Sequence, residues 1–82
     1  MKETFNFAQA SERTGISESV IILYVEREWI SPAEPQRLDE EDLARALLIR
    51  DLEALGVNPE AVPLILHLLD QLYFLRARLR KA

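Results

Sequence analysis

The chain has 82 residues, of which 49% are hydrophobic and 29% are charged, so we expect one small soluble domain with a limited core. The absence of cysteine excludes disulfide bonds and thiolate metal sites. The net charge of −4 is unevenly divided: residues 1–75 hold six basic and fourteen acidic side chains, a net charge of −8, whereas residues 76–82 hold four basic side chains and no acid. An acidic body repels phosphate and attracts cations, which argues against DNA and for a basic protein partner.

Two short helices joined by a turn are predicted at the start of the chain. Asn6 is placed to cap the helix "FAQASERT", which Gly15 ends. The hydroxyl of Ser17 is placed to cap a second helix, which runs to about Trp29 before Pro32 stops it.

The next segment, "SPAEPQ", is predicted to be a loop with a short extended edge at Gln36 to Leu38. The stretch "LDEEDLARALLIRDLEALG" is the clearest helix, capped by Asp39 and closed by Gly56. Its predicted apolar positions follow a helical spacing: Leu43, Ala46, Leu47, Leu48, Leu52 and Leu55.

A last helix is predicted to start with Asn58 as cap and Pro59 at its first position, and to continue to about Arg80. Pro63 predicts a local irregularity or a later start, because proline removes a helical hydrogen bond.

This helix carries two apolar stripes. The first has the 3-4-3-4 spacing of a dimerisation seam: Ile65, Leu68, Leu72, Leu75 and Leu79. The second lies beside it: Val62, Leu66, Leu69 and Tyr73. We predict a homodimer through the first stripe; the alternative is one broad stripe packed internally.

No catalytic, metal or cofactor site is indicated by the sequence. His67 is the single histidine, and the run "DEED" lacks the alternating ligands and the glycine of a calcium loop. The N-terminal stretch "MKETFNFAQ" has no apolar segment like that of a signal peptide. We therefore expect a non-enzymatic, cytoplasmic protein with no cofactor and no membrane contact.

The order of these elements resembles the MerR superfamily of winged helix-turn-helix proteins, through "FAQASERTGISESVIILYVEREWISP", "RLDEEDLARALLIRDLEALGVNPEAV" and "LILHLLDQLYFLRARL". Within it the chain is most similar to the CbpM branch of chaperone modulators. The resemblance implies an all-α, MerR-like helix-turn-helix fold with a degenerate short wing and a long C-terminal dimerisation helix. Residues 1–57 then form the helix-turn-helix body, and residues 58–82 complete the same domain and form the dimer seam.

The departures from the DNA-binding members of this superfamily are informative. Where those regulators typically carry Leu-Arg-Tyr-Tyr-Glu, this chain has a run from Ile21 to Val25, so Ile22 replaces the arginine and Leu23 a tyrosine. Their Tyr-Arg pair in the wing falls on Pro35-Gln36. Loss of the arginine removes the strongest groove contact, so DNA binding by this face is not expected.

A protein-binding face is predicted instead, with Ile22 and Leu23 outward and Ile21, Tyr24 and Val25 mostly inward. An apolar centre with a charged rim is the anatomy of a protein interface; the alternative is deeper burial of this helix under the last one. The predicted partner-binding residues are Ile22, Leu23, Glu26, Glu28, Trp29, Glu34, Asp39 and Glu40.

The resemblance implies a partner: the J-domain of a DnaJ-like co-chaperone, and possibly DnaK. It also allows a DafA-like factor that assembles DnaK and DnaJ into a resting complex. Two other functions stay open at this stage: a small HspR-like transcriptional regulator and a dimeric interaction module with an unrelated target.

Overall fold

The computed structural model describes residues 2–81. Met1 and Ala82, the ends of the predicted segments 1–57 and 58–82, lie outside the described residues. The elements in chain order are β1 (Thr4–Phe5), α1 (Phe7–Thr14), α2 (Glu18–Glu26), β2 (Leu38–Asp39), α3 (Glu40–Ala54) and α4 (Val62–Lys81). The two strands pair antiparallel, with Thr4 opposite Asp39 and Phe5 opposite Leu38. This small sheet joins residues 4–5 to the strand that follows the wing. The rest of the secondary structure is helical, as predicted.

The helix-turn-helix is fixed by local hydrogen bonds. The Asn6 side chain accepts from the Gln9 N–H (2.8 Å) and the Gln9 side chain accepts from the Asn6 N–H (2.9 Å), which forms a capping box. Gly15 ends α1 in the left-handed conformation at φ 76°. Ser17 caps α2 by accepting from the Val20 N–H at 3.4 Å. The predicted caps and turn are confirmed.

The end of α2 differs from the prediction. The helix stops at Glu26 rather than near Trp29, because Glu28 turns left-handed at φ 62°. The Glu28 N–H donates to the Val25 carbonyl and the Trp29 N–H donates to the Tyr24 carbonyl, both at 3.0 Å. These are the two hydrogen bonds of a Schellman cap, and the reversal carries Trp29 into the core.

The wing is a single tight turn that precedes β2. The Arg37 N–H donates to the Glu34 carbonyl (3.2 Å), and Gln36 has a φ of 60° after Pro35, as in a type II turn. The Arg37 guanidinium donates to the Thr4 hydroxyl at 3.1 Å and to the Thr4 carbonyl at 3.2 Å. The wing is therefore short and held flat against β1.

The third helix, α3, begins and ends as predicted, but its buried face is different. Asp39 accepts from the Asp42 N–H, and the Asp42 carboxylate accepts from the Asp39 N–H, each at 2.9 Å. Gly56 follows the helix at φ 86°. The buried positions are Leu43, Ala46 and Ile49, so the predicted list missed Ile49. Leu55, predicted to be apolar core, is 81% exposed.

The last helix starts later than Asn58 and Pro59. The Ala61 N–H donates to the Asn58 carbonyl (2.9 Å) and the Val62 N–H to the Pro59 carbonyl (3.3 Å), so residues 58–61 form a tight turn. Since α4 begins at Val62, Pro63 lies in its first turn, where no N–H is required. The predicted start was wrong: the helix begins three residues after Pro59, later than the shift of one or two residues that Pro63 had suggested.

The core is formed by the two strands, the helix-turn-helix, α3 and the first turns of α4. Its largest fully buried side chains are Tyr24, Ile21, Ile30, Leu38, Ile49, Leu66 and Val62. Residues 70–81 of α4 are all exposed. The radius of gyration is 13.5 Å, whereas a compact chain of this length has about 11.7 Å. The second half of α4 therefore projects beyond the body.

Candidate protein-interaction surface

The outward side of α2 is one continuous stripe. Five exposed residues at helical spacing form what we call the α2 face: Glu18, Ser19, Ile22, Leu23 and Glu26. On the opposite side, Ile21 and Tyr24 are buried. Ile22 is 36% exposed and Leu23 is 38% exposed. The predicted orientation of this helix is confirmed, and α4 does not bury it.

The α2 face carries negative charge and no positive charge. The helix reads ESVIILYVE, with a glutamate at each end and no lysine or arginine. The next residue, Arg27, turns back so that its guanidinium lies 4.9 Å from the centre of the Trp29 ring. An apolar pair between carboxylates is suited to a protein surface with apolar and cationic groups.

The basic side chains of the body all have intramolecular partners. They are Lys2, Arg13, Arg27, Arg37, Arg45 and Arg50. Arg13, for example, lies 3.6 Å from Glu40, 3.9 Å from Glu3 and 4.5 Å from the centre of the Phe5 ring. A surface that binds a phosphate backbone needs cations directed outward, and here the cations are paired along an acidic chain.

Trp29 does not lie on the α2 face. It is only 6% exposed, its ring is 5.8 Å from that of Tyr24, and Arg27 covers it. The prediction that Trp29 contacts a partner is corrected accordingly: the Schellman cap carries it into the core, where it supports α2 from beneath. Glu28, at the left-handed position, is exposed.

The other predicted rim residues form a separate acidic group at the wing and the start of α3. Glu34 lies in the bridge with Arg37, and Glu40 pairs with Arg13 of α1 at 3.6 Å. Asp39 caps α3 and lies 3.7 Å from Lys2. The N–H of Asp42 stabilises the Asp39 carboxylate and lowers its pKa, whereas burial beside Asp39 raises the pKa of Asp42. None of these contacts reaches α2, and the capping role commits Asp39 to the helix.

The fourth helix carries a second unpaired apolar surface. Four leucines of the predicted seam, Leu68, Leu72, Leu75 and Leu79, are between 49% and 76% exposed. Ile65 is half-buried, so it belongs partly to the body. The four exposed leucines form an apolar strip along α4.

An open groove separates the first half of α3 from the middle of α4. Its volume is about 910 Å³, and its apolar lining includes Leu48, Leu66, Leu69 and Tyr73. Arg45 spans it, donating to the Trp29 carbonyl at 2.6 Å and to Asp70 at 2.9 Å. Glu41 and Asp42 also line the groove.

The sequence pattern of the MerR HTH family of regulatory proteins matches residues 5–81. The chain belongs to the MerR family. The match covers α1, α2, the wing, α3 and α4. Comparisons with curated proteins and with solved structures give no significant match.

For this MerR-family chain, α2 occupies the place of the recognition helix. The apolar run from Ile21 to Val25 predicted which of its side chains are exposed, namely Ile22 and Leu23. It did not reveal the anchor of that helix: the Tyr24 hydroxyl donates to the Glu53 carboxylate of α3 at 2.6 Å. Burial, with the adjacent Glu53 carboxylate, raises the pKa of Tyr24 above its ordinary value. The two residues are 29 positions apart, and no local pattern pairs them.

Within residues 2–81, no group of three or more His, Cys, Asp or Glu side chains is arranged to hold a metal ion. In the same part of the chain, no helix has both the length and the apolarity needed to cross a membrane.

Proposed function

We propose that this MerR-family chain is a non-enzymatic chaperone modulator that binds the J-domain of a DnaJ-like co-chaperone and so regulates its action on DnaK. The observation that carries the proposal is the α2 face, where Ile22 and Leu23 are exposed between glutamates. A DNA-reading helix in this place needs basic side chains for the groove, and α2 has none.

The chemistry of the α2 face complements the proposed partner. The resemblance to CbpM-type modulators implies a J-domain, whose DnaK-binding surface is rich in lysine and arginine. Ile22 and Leu23 would supply the apolar centre of the contact, and Glu18 and Glu26 its acidic rim. Charge complementarity of this kind mainly sets the association rate and the choice of partner.

The mechanism we propose is competitive occlusion. A modulator that covers the basic surface of the J-domain prevents the same surface from reaching DnaK, so stimulation of the DnaK ATPase falls as the modulator is added. The acidic body, with a net charge of −8 over residues 1–75, favours this encounter over an encounter with DNA.

Binding of a purified, labelled J-domain, measured by fluorescence anisotropy, tests the proposal. Ile22→Arg places a cation at the centre of the face and is expected to weaken binding at least tenfold, about 1.4 kcal/mol. Leu55→Arg is the matched control, because Leu55 is 81% exposed and lies just after α3, outside α2. It should bind like the wild type.

Two results would overturn the proposal. One is unchanged J-domain binding by an Ile22→Arg variant whose circular dichroism shows a native helix content. The other is a sequence-specific gel shift with the upstream region of its own gene at about 50 mM salt, where phosphate contacts are strong. That second result would instead establish a DNA-binding regulator.

A further inference from the structure

The C-terminal half of α4 exposes apolar side chains on more than one side of the helix. The four exposed leucines, Leu68, Leu72, Leu75 and Leu79, form what we call the α4 strip. Phe74 is 60% exposed and lies about 100° around the helix from Leu75, beside the strip. Contiguous apolar surface on so small a domain marks an interaction site.

Positive charge borders the α4 strip on both sides. Arg76 lies one turn from Leu72, on one flank of the strip. Arg78 lies one turn from Leu75, on the other flank, and its guanidinium is 5.8 Å from the centre of the Phe74 ring. An arginine can lay its aliphatic stem along an apolar surface while its charge stays in polar surroundings. The strip is therefore an apolar band with a cation on each flank.

The charge of the last residues differs from that of the rest of the chain. Residues 76–81, which we call the basic tail, hold four exposed cations: Arg76, Arg78, Arg80 and Lys81. No acidic residue follows Asp70 in the sequence, whereas residues 1–75 carry a net charge of −8. An apolar helix face combined with such a tail is typical of helices that lie on an anionic membrane surface.

The acidic body does not obstruct the α4 strip. Leu66 is buried against the body, and Leu75 follows it by about two and a half helical turns, so the two side chains point to opposite sides of α4. Residues 70–81 are exposed over about 18 Å of helix. A flat surface can therefore contact the strip while the body stays on the far side. The diameter of the helix, about 10 Å, then separates the two negative charges, and salt screens most of their repulsion at that distance.

We infer that α4 docks on an anionic lipid surface, with the leucines of the strip inserted below the headgroups and the basic tail paired with the lipid phosphates. Nucleic acid also attracts a basic tail, but it offers no apolar phase to four exposed leucines. A second copy of the chain offers an apolar helix, but a contact through the strip leaves Phe74 outside it. Interfacial helices carry phenylalanine and leucine together on their apolar side and cations at its margin.

Surface binding of this kind needs no membrane-spanning segment. An interfacial helix is held by its apolar face and by attraction to anionic lipid. The expectation of no membrane contact was based on spanning and signal segments, so it did not consider such a helix. Cations in the last turn also stabilise α4 through its dipole, but that effect leaves the adjoining leucines in water and does not depend on lipid charge.

Flotation of the full chain with lipid vesicles tests the inference. We expect it to float with vesicles of about 30% phosphatidylglycerol in phosphatidylcholine at about 50 mM salt. Binding should be at least tenfold weaker to pure phosphatidylcholine, and also at about 500 mM salt. Equal binding to the neutral vesicles would overturn the inference. So would a chain that sediments as a dimer and stays off the vesicles, or one that binds a single-stranded oligonucleotide but no vesicle.

The contribution of charge is measured by a triple variant of the basic tail, Arg76→Gln, Arg78→Gln and Arg80→Gln. All three side chains are exposed, so the body remains folded. The affinity for the anionic vesicles should fall at least tenfold, since each cation near such a surface contributes about fivefold. Unchanged affinity would overturn the role of the tail.

The contribution of the strip is measured by Leu75→Gln with Leu79→Gln, which keeps every cation. The affinity for the anionic vesicles should again fall at least tenfold, because two leucines no longer leave water. Leu55→Gln is the matched control, exposed outside α4, and should bind like the wild type. Unchanged binding of the double variant would mean purely electrostatic adsorption and would overturn docking of the strip. No J-domain is present in these measurements, so their outcome is independent of the proposed function.

Discussion

Glu28 after α2 and Gly56 after α3 occupy the same backbone position, the left-handed residue of a Schellman cap. Their φ angles are 62° and 86°. The Gly56 N–H donates to the Glu53 carbonyl and the Val57 N–H to the Leu52 carbonyl, both at 3.0 Å, which matches the pair of hydrogen bonds around Glu28. Glycine adopts this conformation freely, whereas a residue with a Cβ atom is strained in it.

Glu28→Gly is therefore expected to stabilise the fold. Relief of the left-handed strain contributes about 1–2 kcal/mol, and the greater freedom of glycine in the unfolded chain offsets about 0.5–1 kcal/mol of it. We expect a net gain of about 0.5–1 kcal/mol in the free energy of unfolding, measured by chemical denaturation. Glu28→Gln is the control, because it removes the charge and keeps the strain. A loss of stability in Glu28→Gly would contradict the assignment.

The hydrogen bond from Tyr24 to Glu53 predicts a particular dependence on pH. Tyr24→Phe removes a bond to a charged acceptor and should reduce the free energy of unfolding by about 1–2 kcal/mol at pH 7. The pKa of Tyr24 is raised in the folded protein, so its stabilisation is complete below the ordinary tyrosine pKa of about 10 and is lost as pH rises above that value.

Denaturation of the wild type and of Tyr24→Phe at several pH values tests this sign. The difference in the free energy of unfolding should be constant from pH 7 to about pH 9 and should shrink above about pH 10. Tyr73→Phe is the matched control, since Tyr73 is 63% exposed on α4. A difference that grows with pH would show that Tyr24 ionises more readily when folded.

Local signals predicted most of the fold. The caps at Asn6, Ser17 and Asp39 and the glycine stops are encoded within a few residues, so the starts of α1, α2 and α3 followed from the sequence, whereas the start of α4 did not. The end of α2 did not, because nothing in the sequence around Glu28 marks a left-handed residue. The choice of Ile49 over Leu55 as core was also hidden, since both are apolar and only the tertiary packing decides which is covered.

The candidate surface was predicted in part. The apolar run from Ile21 to Val25 lies on every side of α2, and a domain of this size has too small a core to cover them all, so Ile22 and Leu23 were placed outward. The burial of Trp29 follows from the cap after α2, so it was missed with that cap. Arg45 contacts Trp29 and Asp70, which lie in two other segments of the chain. Contacts between distant segments, and the groove that they cross, cannot be predicted from local sequence patterns.

Arg45 is predicted to hold α4 and the end of the α2 cap to α3. Its side chain donates to the Trp29 carbonyl at 2.6 Å and to Asp70 at 2.9 Å. Arg45→Ala should lower the free energy of unfolding by about 1–2 kcal/mol, because a carbonyl in a partly buried position loses a charged donor. Asp70→Asn, which removes only an exposed ion pair, should cost less than about 1 kcal/mol. Equal losses in the two variants would place the stabilisation in the ion pair instead.

Reversal of charge at the end of the α2 face and just after it should change the association rate of J-domain binding more than the dissociation rate. The double variant Glu26→Lys with Glu28→Lys replaces two exposed acids by bases next to Ile22 and Leu23. Rim charges act mainly on the association rate and its salt dependence, so we expect slower association at about 50 mM salt and a smaller difference from the wild type at about 500 mM. The matched control is Glu12→Lys with Glu60→Lys, which makes the same change in net charge at exposed positions outside α2. The association rates of the two double variants are measured by stopped flow. Equal slowing in both would mean that the net charge of the chain, and not the charge at the α2 face, sets the association rate.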